Sequence, residues 1–264
     1  MIIAVKNLIK KFKDFTAVNN ISFDVKEGEI LAFLGPNGAG KTTTIKMLTT
    51  VMHPTSGQID INGYNPLTQK DKVRHSFGIV FQDASVDDEL TAYENMAMHA
   101  VLYGLPRAPR KAKIRQLLEF VELWDRQKEL VKNFSGGMKR RLEIAKGLLH
   151  HPKILFLDEP TQGLDPQTRN HIWEYIKKMN REEKMTVFFT THYIEEAEKI
   201  ADRVVIIDHG QIIASGTPAE LKAKAGKSNL EDAFIKLTGN TIREEKADST
   251  SRMRNRGRMG GWRR

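Results

Sequence analysis

Eight consecutive residues, Gly35, Pro36, Asn37, Gly38, Ala39, Gly40, Lys41 and Thr42, have the types and spacing that phosphate binding needs. They spell G-x-x-x-x-G-K-T. The glycines let the backbone curl and bring bare N–H groups against phosphate oxygens. Lys41 can reach β- and γ-phosphates, and the Thr42 hydroxyl can ligate Mg²⁺. A second chemical pair is Asp158-Glu159, directly after an apolar run. That is the place for a Mg²⁺-binding carboxylate in a phosphate-loop enzyme. Its acidic neighbour costs repulsion, and makes sense as the group that polarises an attacking water. A third stretch, Asn133-Phe-Ser-Gly-Gly-Met138, precedes apolar residues at helical spacing: Met138, Leu142, Ala145 and Leu149. Ser135 suits a helix N-cap, and Gly136 and Gly137 bare the backbone at the positive helix end. Taken alone, Ser-Gly-Gly is more often a turn.

The surrounding elements must hold these residues together. Ile30–Leu34 is wholly apolar, as a buried parallel strand requires, and Ile45, Leu48 and Met52 recur at helical spacing after the loop. The loop therefore joins a strand to a helix whose N-terminus points at the anion. Ile154–Leu157, Val187–Phe189 and Val204–Ile207 are further apolar strands; a short one at 78–81 ends at Gln82. Residues 172–179 form an amphipathic helix. Strand–helix alternation with apolar strands predicts a parallel α/β sheet covered on both faces. Residues 2–8, 21–25 and 57–63 instead alternate apolar and polar, which predicts a small antiparallel sheet beside it. Between 84 and 150 the texture is helical, an inserted subdomain broken into separate helices at Pro106 and Pro109. Lysines and arginines crowd 107–115 and read as a solvated helix face.

The composition is that of a soluble globular chain: 264 residues, 40% hydrophobic and 28% charged, with no cysteine. No apolar run approaches the ~18 residues of a membrane-spanning helix. Met1-Ile-Ile-Ala-Val-Lys6 lacks a signal-peptide pattern, so a cytoplasmic location is expected. The net charge is +9, but seven basic residues in 246–264 face Asp248 alone, so six of the nine charges belong to the tail. From about 241 the chain turns polar, then Arg/Gly/Met-rich, and disorder is expected there. Nucleic acid is thus not the expected partner of the fold; an anionic membrane surface is one candidate for the tail.

The phosphate loop, Gln82, Ser135-Gly-Gly137, Asp158-Glu159, Gly163-Leu-Asp165 and His192 occur in the order seen in ATP-binding cassette (ABC) proteins, and the chain resembles that family from residue 2 to about 240. The resemblance implies a phosphate-loop NTPase core with a parallel sheet, a small antiparallel β subdomain and an inserted helical subdomain. It implies ATP and Mg²⁺ as cofactors, with the loop from Gly35 through Thr43 on the phosphates. Phe12 would stack on adenine. Thr42, Gln82 and Asp158 would serve the metal, with Gln82 coupling it and the water to the helical subdomain. Glu159 and His192 would act on the water and the γ-phosphate. Ser135, Gly136 and Gly137 would contact ATP held by a partner subunit, and Asp165 would cross the dimer interface. His192 would otherwise read as structural.

The chain departs from the family pattern at two places. Phe134-Ser-Gly-Gly-Met138 stands where Leu-Ser-Gly-Gly-Gln is usual, so the glutamine's polar contacts are lost; Phe12 stands where tyrosine is common. Residues 78–104 and 229–245 are similar to the multidrug or daunorubicin-resistance exporter group. That implies an ATPase on the cytoplasmic face of the membrane, driving a separate permease. One loop and one signature site per chain imply a dimer, with a second copy or a paralogous cassette. A soluble ABC ATPase acting on ribosomes or DNA, or the cassette of an importer or of a lipid or polysaccharide exporter, stays open at this point.

Overall fold

The computed structural model describes residues 1–83 and 85–239. Two alternating strands, β1 (Ile3–Phe12) and β2 (Phe15–Val25), form an antiparallel hairpin. β3 (Ile30–Leu34) is buried at all five positions and runs through the glycine loop into α1 (Lys41–Leu48). β4 (Ser56–Ile61) returns to the free edge of β1, giving an antiparallel sheet of order β2-β1-β4. Then come α2 (Lys70–Ser76) and β5 (Phe77–Val80). A helical stretch follows: α3 (Ala92–Leu102), α4 (Arg107–Phe120) and α5 (Gly136–Gly147). Strand and helix then alternate through β6 (Ile154–Asp158), α6 (Pro166–Glu183), β7 (Thr186–Thr191), α7 (Ile194–Ile200) and β8 (Arg203–Asp208). β9 (Gln211–Gly216), α8 (Pro218–Ala225) and α9 (Leu230–Thr238) follow.

The second sheet has the order β5-β6-β7-β3-β8-β9. Its first five strands are parallel, and β9 turns back antiparallel on β8. Strand period two sends alternate β3 residues to opposite faces. Leu31 and Phe33 join the core shared with the small sheet, while Ile30, Ala32 and Leu34 join the core under the helices. Phe33, Phe23 and Phe188 pack with ring centroids 5.4 to 6.0 Å apart, which ties the two sheets together. The order also sets β6, β7 and β3 side by side, so the loops after their C-terminal ends emerge on one edge. The loop 35–42, Asp158-Glu159 and His192 lie at these three strand ends.

Three expectations change. Pro109 does not break a helix; it lies in the first turn of α4, where its missing N–H would have no intrahelical partner anyway. Pro106 caps that helix. Met52 lies beyond α1, because Thr50 takes φ 63, a left-handed conformation that ends the helical path. β9, α2, α7, α8 and α9 emerge without having been foreseen. The Arg-rich tail lies outside the described residues. Gly78 backs directly onto Gly147, so a side chain on Gly78 would strike the Gly147 carbonyl; the pair lets α5 lie against β5.

Candidate active site

The loop begins where β3 ends. Gly35 and Ala39 are buried, and the tip at Asn37 and Gly38 is exposed. Gly38 has φ 77 and Gly40 φ 105, a left-handed range that glycine adopts at little cost. A Cβ on Gly40 would also lie 2.6 Å from the Ala17 carbonyl of β2. Gly40 caps α1 without a side chain, so the first N–H groups of that helix face the loop. Lys41 is 5% exposed and its Nζ donates to the carbonyls of Gly35 (2.8 Å) and Pro36 (3.1 Å). Thr42 and Thr43 are half-buried on the first turn.

β6 and β7 bring the acidic pair to the same edge. Asp158 stands opposite Thr190, whose hydroxyl donates to Asp158 Oδ1 at 2.6 Å; Thr42 Oγ1 donates to the same oxygen at 3.2 Å. Burial pushes the Asp158 carboxyl up, while the Thr190 and Thr42 hydroxyls pull it down. Glu159 is 6% exposed at φ 49, and its N–H donates to the Thr190 hydroxyl at 3.0 Å. Its two oxygens divide between partners: Oε1 is 3.1 Å from Lys41 Nζ, and Oε2 is 2.9 Å from His192 Nδ1. Removing one partner of such a buried pair leaves the other charge uncompensated. Gln82 leaves the end of β5 and donates from Nε2 to Gln162 Oε1 at 2.6 Å.

The other candidates stand apart. Ser135 is the exposed N-cap of α5, its Oγ accepting from the Met138 N–H at 3.3 Å. Gly136 faces Leu164, and a Cβ on Gly137 would lie 2.6 Å from Thr168 Cγ2, so the glycines pack on the start of α6. Asp165 caps that helix, accepting from the Thr168 N–H at 2.9 Å. Among the described residues no hydrogen bond or ion pair joins 135–137 or 165 to the loop 35–43. Met138 packs against the helical core, which accounts for an apolar residue there. Phe12 is 42% exposed, at the end of β1, with Lys10 Nζ 5.0 Å from its ring.

Several polar residues of this region escape sequence reasoning. Thr190 satisfies both acidic residues, yet reads as one more β-branched strand residue. Arg140, Glu143 and Lys146 are buried on α5. Their spacing hints at an ion pair, but an exposed pair has the same spacing. Glu196 is also buried, accepting from Thr161 Oγ1 at 2.5 Å and Thr191 Oγ1 at 3.1 Å.

A strand, a glycine loop and a capped helix, with an acidic pair on a nearby parallel strand, define a phosphate-loop nucleotide hydrolase. The family described as "ABC transporter" matches residues 18–162. The linearmycin resistance ATP-binding protein LnrL of Bacillus subtilis (strain 168) is 43% identical over 239 residues, covering 90% of this chain and 75% of that protein. The daunorubicin/doxorubicin resistance ATP-binding protein DrrA of Streptomyces peucetius is 40% identical over 228 residues, covering 86% and 69%. Among solved structures, the dimeric post-hydrolysis cassette MJ0796 bound to ADP and Pi aligns with a TM-score of 0.74 at 28% identity, covering 81% of this chain and 98% of that one. The chain belongs to the ABC transporter family and is one of its ATP-binding, ATP-hydrolysing subunits.

Proposed function

We propose that this chain powers a small-molecule exporter whose permease is a separate polypeptide. The observation that carries the catalytic part is Glu159, held between Lys41 and His192 and next to Asp158. In this reading residues 1–240 are one cassette with a helical subdomain at about 84–150. Backbone N–H groups of Gly35 and of Asn37 to Gly40, with Pro36 shaping the turn, and Lys41, Thr42 and Thr43 hold the ATP phosphates, while Phe12 offers its exposed ring to adenine. Glu159 accepts a hydrogen bond from the attacking water and polarises it, so the water oxygen bonds to the γ-phosphorus as the bond to ADP breaks. His192 keeps Glu159 oriented and reaches the γ-phosphate. Thr42 and Asp158 offer a hydroxyl and a carboxylate oxygen, a donor set that suits Mg²⁺, with Gln82 nearby to follow it. Mg²⁺ bound there would neutralise phosphate charge.

Ser135 and Gly136 are exposed at the start of α5, and among the described residues no hydrogen bond or ion pair joins 135–137 to their own phosphate loop, which favours a shared site: Ser135, Gly136 and Gly137 would meet ATP held by a partner cassette, with Asp165 crossing the interface. The dimeric relative supports that arrangement. Drug resistance in the names of two relatives supports export of a small molecule. Among the described residues no helix is long and apolar enough to cross a membrane, which fits a peripheral subunit on the cytoplasmic face. The test is purification from detergent-solubilised membranes with mass spectrometry of co-purifying chains. A stoichiometric polytopic membrane protein is expected; ribosomal proteins in its place would overturn the reading.

A further inference from the structure

Three charged side chains lie on one face of α5 where a packed helix ordinarily buries apolar ones. Arg140, Glu143 and Lys146 are 6%, 1% and 5% exposed. Arg140 Nε donates to the Pro160 carbonyl at 2.7 Å and Nη2 to the Glu159 carbonyl at 3.0 Å. Its Nη1 donates to the Phe81 carbonyl at 2.5 Å and to Glu143 Oε2 at 3.1 Å. Glu143 Oε1 accepts from the Ser85 N–H at 2.5 Å, and Lys146 Nζ donates to the Ser85 carbonyl at 2.9 Å. Every one of these bonds beyond the helix runs from α5 to one of two places. One is the turn after β6 that carries Glu159; the other is the stretch that flanks Gln82.

Stability is a poor reason for such a cluster. Burial disfavours the charge on Arg140 and Lys146, and Glu143 only partly offsets that. Apolar residues of similar volume often serve stability as well or better. A guanidinium, however, is a rigid plane of five donors, and here it spans three backbone carbonyls from two chain segments. One of them belongs to Glu159, whose φ of 49 is a conformation that persists only where the surroundings hold it.

We propose that Arg140 is a positioning residue: it fixes the backbone of Glu159 and the start of the Gln82 segment to the helix that begins at Ser135. It touches neither nucleotide nor water; it acts through the Glu159 carboxylate, and so rests on the role proposed for that residue. It also gives each chain a mechanical link between the helix end offered to the partner's ATP and its own hydrolytic group.

The test compares Arg140→Lys and Arg140→Gln in the full chain, with turnover against ATP concentration and binding of a fluorescent ATP analogue. Lysine keeps the charge and the stem but loses the fork. Both variants are expected to lose about 10- to 100-fold in kcat, the scale of a group displaced by about an ångström. KM and analogue affinity should stay within about twofold of wild type. The decisive arm is a double-variant cycle, read by single-turnover hydrolysis of radiolabelled ATP. If Arg140 acts through Glu159, then Arg140→Lys costs far less in the Glu159→Gln background than in wild type. Equal factors in both backgrounds, wild-type kcat in Arg140→Lys, or a loss of affinity that matches the loss of kcat, each overturns the proposal. Should Arg140→Gln fold poorly, Arg140→Lys carries the cycle, with its melting curve as the folding control. Failure of the underlying reading looks different: Glu159→Gln alone would then hydrolyse ATP at the wild-type rate.

Discussion

At the scale of single residues, Glu159 has two jobs that one substitution separates. Its carboxylate joins Lys41 and His192, and its backbone bends at φ 49 against Thr190. Glutamine keeps the shape, the bend and a hydrogen-bonding end, but is far less basic. Glu159→Gln is therefore expected to lower turnover by about 10² to 10⁴, the usual worth of a general base, while still binding ATP. Single-turnover hydrolysis and analogue titration check both halves; turnover within threefold of wild type would remove Glu159 from the chemistry. The site was legible in sequence where residue type alone dictates geometry. Gly38 and Gly40 need positive φ, and Lys41 must end a glycine loop. It was not legible where a common residue acquires its role from its surroundings, as Thr190 and Arg140 do.

Elements tell a similar story. α1, α5 and the apolar strands announce themselves through periodicity. α7 is short, and β9 alternates weakly at a sheet edge, so neither has a pattern strong enough to read; Gly78 against Gly147 depends on a contact between residues far apart in sequence. One junction of elements also predicts a pH response. His99 on α3 and His150 just past α5 are pushed down from 6.5 to about 4, chiefly by burial. Lys146 faces His99, while His75 and His151 face His150; the His150 ring stacks on Tyr103 at 3.9 Å and meets the Phe77 carbonyl. Unfolded, both histidines titrate near their ordinary value, so between about 6.5 and 4 the unfolded chain binds more protons than the folded one. The stability these groups contribute is present above that window and is lost as pH falls through it. Melting temperature should thus drop between pH 7 and 5, and His150→Phe, which keeps an aromatic ring on Tyr103, should lessen the drop. An unchanged slope in that variant would exclude His150 as a source.

At the scale of the whole molecule, the sequence has one G-x-x-x-x-G-K-T loop and one Ser-Gly-Gly helix start at Ser135. Two dead variants, Lys41→Ala and Ser135→Arg, test whether a partner completes the site. In a mixed dimer one composite site carries both lesions and the other carries none. Mixing is expected to restore up to a fraction of wild-type ATPase. Wild-type monomer hydrolysing ATP at full rate per chain, at dilutions where no dimer forms, would contradict a shared site. The basic segment 246–264 invites a separate measurement. If it adheres to anionic lipid at up to about 1 kcal/mol per basic residue, the full chain should co-sediment with phosphatidylserine vesicles at low salt and a 1–245 truncation should not. Equal binding by both would dispose of the idea.

The sheet order has a consequence for how the protein is made. β3 lies between β7 and β8, pairing Ile30 with Val187 and Leu31 with Arg203. Its phosphate loop leaves the ribosome well before either neighbour exists. Parallel pairing over such sequence separation is slow, because the connecting loop must close before any contact rewards it. Until then a strand buried on both faces in the finished fold has nothing to cover it, and nascent chains in this condition are prone to aggregate. Translation that stalls near residue 180 would therefore leave a phosphate loop without its strand partners, and refolding from denaturant should regain ATP binding only in the last, global phase.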